Sequence, residues 1–209
     1  MKRIHNNQVI VERVGGEGLQ QEYIVGKDAS LTLILMVRVS GVVSLTPSVT
    51  LKGPGSSATI LGVIYGTGKG VVNITTLQHH EAPNTTSNLL IKSVMTEESM
   101  CRYEGSILVD KRAQKTNAYQ RNENLLLGDH AHATSKPALE ILANDVRCTH
   151  GALVKTLDAD ELWYAATRGI GGTAARYMIL NGFLLSTFDG IADTIVREEA
   201  YRETLSLVA

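Results

Sequence analysis

Short apolar runs follow one another from about residue 8 to residue 157, each closed by a polar or glycine-bearing break. Residues 31–37, 42–45, 58–65 and 71–77 are dominated by β-branched and aliphatic side chains, which suit a pleated, half-buried surface. Further strands are expected over 88–94, 103–109, 124–127, 138–141 and 151–157. The runs recur every ~12–16 residues, the rhythm of an all-β chain. A sandwich and a stacked solenoid both give this rhythm, and no strict repeat chooses between them.

After residue 157 the period changes. Asp158, followed by Ala159, Asp160 and Glu161, supplies an N-cap and an acidic first turn. Gly169, behind Arg168, is placed to end that helix. A second helix is expected over 173–181, stopped by Gly182. A third is expected over roughly 188–207, with Ile191, Ile195 and Val196 near helical spacing. The chain thus divides into a β region, 1–157, and a helical region, 158–209. The tail holds Leu162, Trp163, Tyr164, Ile170, Ile179, Leu180 and Phe183, more apolar surface than short helices hide alone. Packing onto the open end of the β body would cover it and the strand edges there.

Composition narrows the function. The 209 residues carry 20 basic and 21 acidic side chains, a net charge of −1, so no electrostatic footprint for nucleic acid or an anionic membrane exists. Aromatics make up 5%, too few for a base-stacking platform. Nineteen glycines against four prolines suit tight turns between strands. Residues 31–39 are far shorter than the ~20 residues of a membrane span. Two cysteines make no disulfide framework, and no apolar segment follows the basic start, so a cytoplasmic protein is expected.

Several motifs tempt and fail. Gly66-Thr67-Gly68-Lys69-Gly70 looks like a phosphate loop, but Val63 stands where its first glycine belongs and Gly70 where a Ser or Thr should follow the lysine. A β-turn accounts for it. His79, His80 and Glu81 are adjacent, and neighbours on a strand face opposite ways. No nucleophile elbow or triad is present, so a non-catalytic protein is expected.

Residues 128–151 are different. They hold His130, His132, Cys148 and His150. Cys148 and His150 are two apart, so on a strand both point to one face, where a thiolate and an imidazole can grip iron or zinc. The remaining ligands would come from His130, His132, a distant segment or a second chain, and His132 is carried as a further cofactor-binding candidate. The same spacing also suits a buried cysteine beside a hydrogen-bonded core histidine.

From His80 to Phe183 the sequence resembles the core domain of the SufB/SufD family, scaffold subunits of SUF iron–sulfur cluster assembly. The matching words are residues 80–87 (HEAPNTTS), 103–107 (YEGSI), 113–120 (AQKTNAYQ), 124–127 (NLLL), 137–141 (PALEI) and 144–152 (NDVRCTHGA), then Leu162-Trp163-Tyr164, Arg168-Gly169-Ile170 and Gly182-Phe183. The resemblance implies a mainly β protein, a right-handed parallel β-helix core with a small C-terminal α-helical domain. It implies a scaffold that pairs through its β-helix, as a homodimer or with a SufB/SufD-type partner. It implies docking of the ABC-type ATPase SufC by the C-terminal region, and sulfur from a cysteine desulfurase. A transient iron–sulfur cluster would form at the subunit interface, with Cys148 and His150 on the SufD-type interface residues. The metal-free alternative is a purely structural partner in the same complex. Ala131 stands where SufB-type subunits carry a cysteine, and Gly151 where they carry a glutamate, so the chain is SufD-like. Lys155 replaces a glycine of the SufD pattern, and the length is short for a whole member.

Overall fold

The computed structural model describes residues 1–16 and 18–208; residues 17 and 209 of the two regions drawn above lie outside the described residues. Twelve strands alternate between two sheets: β1 Lys2–Ile4, β2 Gln8–Val14, β3 Leu19–Val25, β4 Ser30–Val39, β5 Val42–Leu51, β6 Ser57–Gly66, β7 Val71–His80, β8 Thr86–Met95, β9 Met100–Val109, β10 Thr116–Leu126, β11 His132–Ile141 and β12 Val146–Thr156. Odd strands form one six-stranded sheet in the order β1-β3-β5-β7-β9-β11, and even strands form the other from β2 to β12. Every pairing is parallel. The chain is therefore a parallel β-helix, two strands to a rung, and the sandwich reading falls away. A rung step spans two of the sequence runs, for example Ser57 to its partner Thr86.

Alternation decides which side chains fill the lumen. On β4 the inward set is Leu31, Leu33, Leu35, Val37 and Val39, all buried in the main core with Tyr23, Leu45, Leu51, Ile60 and Ile64. The outward Ile34 and Met36 are buried too, beneath the tail. With both faces covered, β4 and β6 read as continuous apolar runs rather than alternating ones. The expected strand at 124–127 is the end of the eleven-residue β10, and that at 138–141 is the end of β11. Both beginnings lack an apolar run: residues 120–124 are all polar, and β11 opens on His132, Thr134, Ser135 and Lys136.

The tail contains α1 Ala159–Thr167, α2 Gly172–Leu185, a short 3₁₀ turn Ser186–Phe188, and α3 Thr194–Val208. Asp158 caps α1, its side chain accepting from the Asp160 N–H. Gly169 follows at φ +77°, with the Ile170 N–H on the Ala165 carbonyl and the Gly169 N–H on that of Ala166, the paired bonds of a Schellman turn. Two expectations need correction. Gly182 does not stop α2, because Leu180 and Leu184 on either side are buried and packing outweighs a propensity cost of about 1 kcal/mol. The third helix begins at Thr194, where Asp193 accepts from the N–H groups of Ile195 and Val196. Ile191 lies ahead of it in the core, while Ile195 is exposed.

The tail also does not plug the end of the solenoid. Leu180, Leu184, Phe188, Ile191 and Ala200 pack on Ile34, Met36, Leu61, Val63, Val94 and Leu125, the outward residues of β4, β6, β8 and β10. Arg13 on β2 reaches Glu203 and Glu199 of α3, and the rings and cations of Phe183, Lys92 and Lys155 stack at the far side, 4.9 and 5.9 Å from ring centre to each ammonium. Lys155, where the family pattern has glycine, thus lies against the Phe183 ring of α2.

Candidate functional site

Because the tail lies on a face, the last rung stays open. Among the described residues β11 pairs only with β9, and β12 only with β10. Each leaves one edge of backbone donors and acceptors unpaired, the template for adding another strand. Leu139, Ile141, Leu142, Leu153 and Val154 of this rung are exposed.

In-register pairing fixes which side chains look into the mouth. Buried Ala118 and Gln120 of β10 point inward, and their partners are Cys148 and His150. The two therefore share the luminal face of β12, about 7 Å apart at Cα. Cys148 is half-buried against Ile107, Val109, Ala113, Ala118 and Ala143, while His150 is exposed. Burial pushes the Cys148 thiol above its ordinary value, partly offset by a hydrogen bond with the Ala118 backbone.

His132 lies elsewhere. Its neighbour Ala133 packs against the luminal core, so His132 faces outward at the start of β11. Cys148 and His150 sit just past the β11–β12 corner, which places His132 roughly 20 Å away along the strands. His130 is exposed in the turn before it. Among the described residues no three His, Cys, Asp or Glu side chains converge as a metal site. Cys148 and His150 carry donor atoms of a softness suited to iron, and two side chains alone do not complete a tetrahedral site. Ala131 is buried.

The layer beneath the mouth was missed from sequence. The lumen is aliphatic toward the N-terminal end but turns polar near β10, whose inward residues include Gln120, Asn122 and Asn124, all fully buried. Asn124 donates to the Asn122 side chain at 2.7 Å and to the Leu153 carbonyl of the last rung at 3.3 Å. Below, His80 contacts the Thr85 and Ser87 hydroxyls at 2.7 and 2.8 Å, and Gln78 donates to Ser87 at 2.7 Å. Burial, with some repulsion from His79, pushes the His80 imidazole down to about 4. Cys101 is buried in the aliphatic part, its thiol pushed up to about 11 by desolvation. In sequence residues 116–124 are mostly polar on both faces of the strand, so alternation does not single out the buried set.

The neighbours His79 and His80 do face opposite ways. Outward His79 sits 3.0 Å from Asp110, while His80 is luminal. No helix among the described residues is long and apolar enough to cross a membrane.

Fold and mouth together define a class: a parallel β-helix with a helical tail on one sheet face and an open last rung. Residues 18–183 match the family model described as SUF system FeS cluster assembly, SufBD core domain, and the chain belongs to that SufB/SufD family. It is 30% identical over 152 residues to the iron–sulfur cluster assembly protein SufD of Escherichia coli, a match covering 73% of this chain and 36% of that protein. It is 30% identical over 183 residues to a SufBD family protein of Mycobacterium leprae, covering 84% and 47%. A SufBD family protein of Synechocystis is 38% identical over 109 residues, covering 52% and 24%. The matched stretches span between about a quarter and a half of these relatives' length.

Proposed function

We propose that this chain is a scaffold subunit for iron–sulfur cluster assembly, without catalytic turnover of its own. The observation that carries the reading is the open last rung, which brings Cys148 and His150 onto one luminal face beside two unpaired strand edges. A second scaffold subunit, another copy or a SufB/SufD-type partner, would dock there. Two facing copies would offer two thiolates and two imidazoles, enough for the iron of a nascent cluster, which is cargo rather than a resident group. Sulfur would come from a cysteine desulfurase. On the tail, Trp163, Tyr164, Tyr177 and Met178 are exposed on α1 and α2 and would form the docking face for a SufC-type ATPase. The cytoplasm, where thiols stay reduced, suits free Cys101 and Cys148.

The test is anaerobic co-purification with a SufC-type ATPase, with iron and sulfide analysis and native mass. Cys148→Ala and His150→Ala should lose iron and sulfide while keeping the ATPase. Trp163→Ala with Tyr177→Ala should lose the ATPase while keeping the fold. Deleting the tail is a poorer test, because it would strip cover from Ile34, Met36, Leu61 and Val63. Full cluster retention by the Cys148→Ala/His150→Ala double variant would leave the chain as a metal-free structural partner and refute the site.

A further inference from the structure

Gln120 is the anomaly of the lumen. It is fully buried, yet among the described residues neither its Oε1 nor its Nε2 has a hydrogen-bond partner. Leaving a buried amide unmatched costs free energy, and each such group in a folded protein calls for a reason. The Ser135 hydroxyl and the Gln78 Oε1 are unmatched in the same way, in the same upper rungs. Room has been made for the Gln120 amide: a Cβ on Gly105, across the lumen, would overlap both Gln120 Nε2 and Tyr103 Oη. Tyr103 Oη pairs with Thr76 at 2.9 Å, and the Gln120 amide makes no hydrogen bond to it.

Its position supplies the reason. Gln120 is the ladder partner of His150, with both side chains on the luminal face of adjacent strands. An imidazole that binds a metal through one nitrogen donates its other N–H to an acceptor, which sets tautomer and ring direction. We infer that Gln120 is the positioning residue for His150: its Oε1 accepts the ring N–H turned into the lumen and directs the other nitrogen out of the mouth. The amide is held unmatched until the mouth is occupied. This rests on the scaffold reading above, and deepens it by adding a residue that touches neither the partner nor the cargo.

The test titrates Co²⁺ into the full chain together with its pairing subunit. His150→Ala should weaken Co²⁺ binding. Gln120→Met, near in size but without polar atoms, should weaken it about 10- to 100-fold, the usual effect of losing such a supporting partner. Gln120→Glu, which keeps an acceptor, should stay within a few-fold of wild type. In a His150→Ala background Gln120→Met should have no further effect. Its melting temperature should equal or exceed that of wild type, since it removes an unmatched buried group. Unchanged Co²⁺ affinity in Gln120→Met, or an equal loss in both backgrounds, would overturn the inference. So would lower stability with intact affinity, which would place the amide's role inside the lumen. If His150→Ala itself binds Co²⁺ as wild type does, the mouth reading fails first and takes this one with it.

Discussion

Beneath the tail, Lys92 of β8 and Glu123 of β10 form an ion pair at 3.3 Å with only 10% and 9% of their side chains exposed. The partners are unequal. Glu123 also holds Arg121 at 2.5 Å, so removing Lys92 leaves the carboxylate paired. Among the described residues Lys92 has no second carboxylate; its ammonium donates to Ser186 Oγ at 2.7 Å and lies over the Phe183 ring. Glu123→Leu therefore strands a buried cation, which costs about 3–5 kcal/mol. Lys92→Met removes one charge-assisted contact and costs about 1–2 kcal/mol. The double variant replaces a buried pair by apolar residues and should be near wild type. For a chain of this size 1 kcal/mol is about 2–4 °C in Tm, so Glu123→Leu should melt roughly 10 °C early. Urea unfolding followed by helical circular dichroism reads the tail that Lys92 fastens. The coupling should exceed about 2 kcal/mol. Additive single effects to within ~0.5 kcal/mol, or a larger cost for Lys92→Met, would refute the reasoning.

Three further expectations follow from the core. Above pH 6.5 His80 is neutral in both folded and unfolded chains. Below that the unfolded chain gains a proton that the folded one refuses until about pH 4. Stability should thus fall across that window by about 3 kcal/mol, and His80→Asn should flatten the slope; equal slopes would disprove it. Alkylation at mildly alkaline pH should mark half-buried Cys148 first, with buried Cys101 reacting only in denaturant; mass spectrometry showing the reverse order would contradict the assigned faces. Phe188→Ala, at a fully buried ring, should cost about 3–5 kcal/mol in urea unfolding, and a loss below 1 kcal/mol would mean the tail is held otherwise.

Much of this architecture was legible from residue patterns. Apolar runs located most strands, and Asp158 and Gly169 marked both ends of α1 because caps are local chemistry. Period-two spacing put Cys148 and His150 on one face. What stayed hidden was whatever depends on distant contacts. Gly182 stays helical because a sheet lies under Leu180 and Leu184. The polar lumen under the mouth was invisible because Gln120, Asn122 and Asn124 carry the residue types of a surface. His132 shared a short segment with Cys148 but not a place, since a strand of ten residues separates neighbours in sequence by most of the solenoid's width.

The tail's placement has a mechanical consequence. A solenoid whose rungs touch only their neighbours tends to unzip from its ends. Here α3 is pinned to β2 and packed on β4 and β6, and Phe188 and Leu184 continue that cover toward β8 and β10. The tail is a splint laid across the stack, joining rungs that do not touch one another into one block. Only the rung of β11 and β12 projects beyond most of it. Compliance is thereby concentrated in the two strands that carry the unpaired edges, while the covered strands are tied into one block.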